Sequence, residues 1–105
     1  MIIRQMDSFD LDDVVEIERE SFSDAWSKTG YENCLKNNCN HYFVGEKEGE
    51  IVGVFGFSVV VDESELHTIS VRKKFRNQGI ATEFIRFMID FSRKENVKNI
   101  YLEVR

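Results

Sequence analysis

The sequence predicts an α+β fold, a mixed α/β sheet with helices packed on it, in the order β-α-α-β-β-β-α-β. Three observations carry this expectation. Two β-rich runs, His41-Tyr42-Phe43-Val44-Gly45-Glu46 and Ile51 to Val61, flank Lys47-Glu48-Gly49-Glu50, which is hairpin-turn chemistry. After Gly79 the apolar period becomes helical, with Ile80, Phe84, Met88 and Phe91 on one stripe. A final run, Lys98 to Val104, returns to strand chemistry. The strand before the helix and the strand after it therefore form a crossover and should run parallel.

The elements follow in order. Ile2 to Met6 reads as a short first strand. Asp7 or Asp10 can cap the helix that follows, in which Leu11, Val14, Val15, Ile17 and Glu18 fall at helical spacing, and which should end near Phe22. Ser27 or Thr29 starts a shorter helix through Leu35, and Asn37-Asn38-Cys39-Asn40 is a turn. Asp62-Glu63-Ser64 is expected to turn the chain into a fourth strand, Glu65 to Val71. The long helix runs from Gly79 to about Lys94 and stops at Glu95-Asn96.

Composition bounds the function. A chain of 105 residues with 42% hydrophobic content, nine Phe, three Tyr and one Trp can fill one core, so residues 1–105 are read as a single domain. Fourteen basic against nineteen acidic residues give a net charge of -5, which disfavours general binding to a nucleic-acid backbone and suits a cationic acceptor. Cys34 and Cys39 lack the spacing of a zinc framework and are read as reduced thiols, so no metal is expected. The N-terminus has no signal-peptide apolar run and nothing approaches the roughly 20 residues of a membrane span, so a cytoplasmic protein is expected.

The stretch with the most chemistry is Val71-Arg72-Lys73-Lys74-Phe75-Arg76-Asn77-Gln78-Gly79-Ile80-Ala81-Thr82. Four of the five residues from 72 to 76 are basic, and a Gly then opens an amphipathic helix. The first turn of a helix leaves amides unpaired and carries partial positive charge, so this turn can hold a diphosphate with Arg76 adding direct charge. It is neither a P-loop nor a Rossmann turn, since it lacks the Gly-Lys-Ser/Thr end of one and the first glycines of the other. A solvated basic turn before an ordinary helix is the competing reading.

Arg76-Asn77-Gln78-Gly79-Ile80-Ala81 is similar to the acetyl-CoA motif of the GNAT superfamily, Gln/Arg-x-x-Gly-x-Gly/Ala. Glu65 to Val71, Tyr101-Leu102-Glu103-Val104-Arg105, Ile17-Glu18 and Phe22-Ser23-Asp24-Ala25-Trp26 resemble one branch, the ribosomal-protein alanine N-acetyltransferases (RimI-like). Ala25 stands where that branch commonly has Pro. The resemblance implies the GNAT acyl-CoA fold, with acetyl-CoA (CoA) as co-substrate. It implies that Ile69, Ser70 and Val71 pair their backbone with the pantetheine arm. Arg76, Asn77, Gln78, Gly79, Ile80, Ala81 and Thr82 would hold the diphosphate. A backbone N–H near Val71 would polarise the thioester in the gap between the splayed fourth and fifth strands. Glu103 matches the general base; an ion pair with Lys98 or Arg105 is its alternative role.

The implied acceptor is a peptide or protein N-terminus, that of a ribosomal protein included. The alternatives are a small amine such as a polyamine, or a CoA-binding domain without turnover. The family continues beyond Arg105 with a further helix and strands, so a C-terminally truncated domain is expected, with its fifth-strand edge paired to a second copy as a homodimer. Among other candidates, His67 reads as a hydrogen-bonded structural histidine and His41 as a surface residue. Asp12-Asp13 and Glu16-Glu18-Glu20 read as a solvated helix face. Trp26 reads either as a border of the peptide entrance or as a core anchor.

Overall fold

Five strands form one sheet in the order β1-β2-β3-β4-β5. The computed structural model describes residues 1–23 and 26–102. The strands are β1 Ile2–Gln5, β2 Asn40–Lys47, β3 Glu50–Val60, β4 Glu63–Val71 and β5 Asn99–Tyr101; the helices are α1 Leu11–Ser21, α2 Lys28–Leu35 and α3 Ile80–Lys94. β1 to β4 are antiparallel neighbours, and β5 pairs parallel to β4, as the crossover requires. No helix among the described residues is long and apolar enough to cross a membrane.

Local sequence explains the boundaries. Asp7 accepts from the Phe9 amide and closes a capping box with Asp10, so a 3-10 turn, Ser8–Asp10, precedes α1. The Arg4 guanidinium clamps the Asp10 carboxylate with two bonds of 2.8 Å and fixes α1 against β1. Ser27 caps α2 by accepting from the Gly30 amide. β4 begins two residues earlier than the sequence suggested: the turn is confined to Val61-Asp62, with Val61 at φ 56°.

The sheet separates two apolar layers. On one face α1 and α2 pack Leu11, Val14, Ile17 and Tyr31 against Tyr42, Val44 and Val54. On the other, α3 lays Ile80, Phe84 and Met88 on Val52, Phe55, Phe57 and Leu66. Phe84 is fully buried and stacks on Phe55 at 4.5 Å, a burial that contributes roughly 1.5–3 kcal/mol. A Cβ at Gly53 would strike the Phe84 ring and the Ser70 carbonyl at 2.8 Å, so the absence of a side chain there lets α3 lie close.

A bulge in β4 decides which side chains face which layer. Phe57 pairs with Leu66 but Gly56 pairs with Thr68, leaving His67 as the extra residue. Before it, Ser64 bonds Ser92 of α3 at 2.7 Å and Leu66 joins the α3 core. After it, Thr68 and Ser70 turn to α1, while Ile69 and Val71 pack on the α3 side.

Two polar residues are more buried than their sequence context predicts. Glu18, expected on a solvated face with Glu16 and Glu20, is fully buried and accepts a 2.7 Å bond from Thr68, because the bulge brings a strand hydroxyl to that face of α1. His41, expected at the surface, is half-buried against Phe91 at 4.7 Å, since α3 extends over the start of β2. His67 accords with its structural reading, 3.1 Å from the Tyr42 hydroxyl. Of the thiols, Cys34 is half-buried and Cys39 exposed, and both are free.

Candidate functional site

β5 pairs with β4 only at Glu63, Ser64 and Glu65. From Leu66 to Val71, the outer edge of β4 has no strand partner among the described residues. The direction of its peptide groups follows from the ladder. The Arg72 amide donates to the Val52 carbonyl at 2.8 Å, so Arg72 faces β3. Ser70, opposite Val54, is two residues back and faces the same way; Ile69 and Val71, between them, turn their N–H and C=O outward. Arg76 Nε reaches the Val71 carbonyl from that outer side at 3.0 Å. Two peptide units are thus presented at an open edge.

The same edge runs into the start of α3. Asn77 at φ 65° and Gly79 at φ 81° both lie in the left-handed region, which Asn tolerates and Gly prefers. No side chain caps the helix, and its first internal bond runs from the Glu83 amide to the Gly79 carbonyl at 3.1 Å. The amides of Ile80, Ala81 and Thr82 have no intrahelical acceptor and sit at the positive end of a 15-residue dipole. Nothing lies within 4 Å of a Cβ built on Gly79, so the backbone there is open to approach.

Between these parts is a cleft of about 580 Å³. Ile69, Ser70, Val71, Arg76, Asn77, Gly79, Ile80, Ala81 and Thr82 all line it. Gln78, singled out with them, is exposed and does not line it. The opposite wall is the end of α1: Glu20, Ser21 and Phe22, none of which the sequence reading placed at the site. A signal for them existed. Thr68 and Ser70 are polar at every second strand position, and Glu18 and Ser21 are three apart on a helix, so two matching polar rows were there to be paired.

The basic run does not act as a block. Arg72 is mostly covered and turns to α1, bonding Glu16 at 2.7 Å and lying 3.9 Å from Asp13. Lys74 pairs with Glu50 at 2.8 Å, with its ammonium over the Phe75 ring. A short 3-10 turn, Lys73–Phe75, splays these side chains outward. Arg76 alone of the four lines the cleft, where Nη2 also donates to Ser21 at 2.9 Å. The arrangement offers a guanidinium, a row of unpaired amides and an open strand edge in sequence. Those groups match an anion joined to a long amide-bearing arm.

His67 does not line this cleft; burial pushes its imidazole below the usual histidine range, with Glu65 partly opposing. Trp26 is 40% exposed and meets Tyr31 edge-on at 5.4 Å, so it is both surface and anchor. Glu103, with Val104, Arg105, Asp24 and Ala25, lies outside the described residues.

Comparison with known proteins identifies the family. Residues 11–105 match the model of the acetyltransferase (GNAT) family. A Bacillus subtilis (strain 168) protein named putative [ribosomal protein bS18]-alanine N-acetyltransferase is 32% identical over 104 residues, covering 98% of this chain and 69% of its own length. The Mycobacterium tuberculosis N-alpha-acetyltransferase RimI is 33% identical over 96 residues, 86% of this chain and 59% of that protein. The crystal structure of the Escherichia coli ribosomal-protein-S18-alanine N-acetyltransferase superposes with a TM-score of 0.85 at 22% identity, covering 94% of this chain and 63% of that one. The mixed α+β sheet is that of a GNAT fold, and by family match and sequence identity the chain belongs to the acetyltransferase (GNAT) family.

Proposed function

We propose that this chain binds acetyl-CoA and transfers its acetyl group to the α-amine of a protein N-terminus, with a ribosomal protein as the acceptor class. The observation that carries the reading is the meeting of two features: outward peptide groups at Ile69 and Val71, and an uncapped α3 beginning at Gly79. The pantetheine arm extends β4 as an added strand on the outward groups of Ile69 and Val71; Ser70 between them, whose backbone was expected to join them, faces β3 and only lines the cleft. The diphosphate sits on Arg76 and the amides of Asn77 to Thr82. Names of the relatives support the acceptor class: one is named for alanine N-acetylation of ribosomal protein bS18 and another as an N-alpha-acetyltransferase.

In the reaction the amine nitrogen attacks the acetyl carbonyl carbon. The carbon–sulfur bond breaks and its electron pair leaves on sulfur. Glu103, within Leu102-Glu103-Val104-Arg105, takes the amine proton through water. An α-amine with a pKa of roughly 7.7–8.0 suits a carboxylate base better than a lysine near 10.4, and a thiol near 8.5 leaves as thiolate without an obligatory acid.

The test is a thiol-release assay with acetyl-CoA and a peptide beginning Ala-Arg, run beside spermidine. Release with the peptide and not with spermidine is expected; the reverse transfers the chain to small-amine acetylation, and neither leaves a binding domain. Self-association through β5 belongs to the same proposal and rests on Tyr101 and Leu102, 49% and 46% exposed. Size-exclusion elution as a monomer at every concentration contradicts that part.

A further inference from the structure

The geometry points to Ser21 as a positioning residue that holds Arg76 in the cleft for a ligand diphosphate, through a one-way chain of hydroxyls ending on α1. The inference rests on the acetyl-CoA reading of the cleft. Arginine can only donate, so Arg76 Nη2, 2.9 Å from Ser21 Oγ, gives its proton to that oxygen. Ser21 Oγ also lies 2.8 Å from Ser70 Oγ, and Ser70 Oγ is within 3.5 Å of the Ile17 carbonyl, which can only accept. These ends set the polarity. Ser70 donates to Ile17, Ser21 donates to Ser70, and Ser21 accepts from Arg76. Each hydroxyl gives one proton and receives one, an arrangement in which successive bonds polarise each other.

The chain matters because of what it fixes. Arg76 is exposed, and a long side chain at the surface samples many rotamers that binding must freeze. Two of its nitrogens are committed, Nε to the Val71 carbonyl at 3.0 Å and Nη2 to Ser21. Nη1 has no protein acceptor among the described residues and is the part of the fork left for an incoming oxygen. The anchor itself is firm, since Ser70 is 4% exposed and belongs to a strand held by β3. Ser21 therefore couples the last turn of α1 to the start of α3 across the cleft, and pre-orients a charge that would otherwise be mobile.

The experiment is a double-mutant cycle read by calorimetric affinity for CoA, using the whole chain. Ser21→Ala is expected to weaken CoA binding by about five- to tenfold in the parent and to have no further effect beside Arg76→Ala. Ser21→Thr, which keeps the hydroxyl, is expected to restore most of the affinity. A purely structural loss at Ser21 would persist in the Arg76→Ala background, and that result overturns the inference. So does unchanged or tighter binding in Ser21→Ala, the latter meaning that Ser21 restrains Arg76 from the ligand. Should Ser21→Ala fold poorly, Ser70→Ala removes the next link and carries the same expectation in weaker form. Failure of the underlying reading is distinct: the parent chain itself then shows no CoA binding, and both fall together.

Discussion

Thr68 Oγ1 donates a 2.7 Å hydrogen bond to Glu18 Oε1 in a space sealed from solvent on both sides, with Glu18 at 0% and Thr68 at 4% exposure. The bond ties the last turn of α1 to β4 one residue before Ile69, whose peptide groups face the open edge. Removing one partner leaves the other buried without it, which costs about 1–3 kcal/mol. Glu18→Ala is expected to lower the urea midpoint accordingly, and Glu18→Gln, which keeps an acceptor oxygen, to lose less. Equal stability of Glu18→Ala and the parent, within about 0.5 kcal/mol, would show that the bond does not hold α1 in place.

Gly79 is constrained by conformation and not by space. At φ 81° an alanine meets nothing within 4 Å but pays about 1–2 kcal/mol for the left-handed backbone. Gly79→Ala is expected to fold with that modest loss in thermal denaturation and to bind CoA more weakly, because a methyl group stands where the backbone is approached. Retained affinity would place the ligand elsewhere.

Acid should unfold the protein through identifiable groups. The Arg4 guanidinium holds the Asp10 carboxyl below the usual range, against burial that raises it. A depressed carboxyl stabilises the fold above its unfolded value, near 3.9, and the contribution is lost as pH falls through the folded one. Burial lowers both His41 and His67, which favours their neutral forms in the fold, so stability also declines as pH drops below about 6.5. Chemical denaturation from pH 7 to 3 should show two descending limbs. Asp10→Asn should flatten the lower, and His41→Gln with His67→Gln the upper. Limbs that persist in those variants would assign the acid sensitivity to other groups.

For Glu103→Gln, kcat with the Ala-Arg peptide is expected to fall by about a hundredfold or more near neutral pH with little change in KM. Activity should recover as pH passes the α-amine value of about 8, where the acceptor deprotonates itself. A pH-independent loss would indicate a binding role, and no loss at all would remove Glu103 from the chemistry.

Much of the fold was legible because local signals agreed with tertiary need. The apolar stripe of Ile80, Phe84 and Met88 became the face that packs on β3, and the turn chemistry at Lys47 to Glu50 became the β2–β3 hairpin. The cofactor-motif residues other than Gln78 gathered around one cleft because Gly79 takes a left-handed conformation where strand and helix meet. The bulge at His67 was not legible, since no Gly or Pro marks it and its effect appears only when β3 supplies the register. Its consequences were hidden with it: Glu18 reads as a surface charge until Thr68 turns toward it. The fate of Arg72 and Lys74 was hidden for a similar reason, because their acidic partners Glu16 and Glu50 lie far off in sequence.

A crystal structure of the chain with bound CoA would show whether the diphosphate docks at the start of α3. The expected result is diphosphate density on the amides from Asn77 to Thr82, beside the Arg76 guanidinium, with the pantetheine amides bonded to the outward groups of Ile69 and Val71. Diphosphate density away from the start of α3, or an arm that does not follow β4, would contradict it.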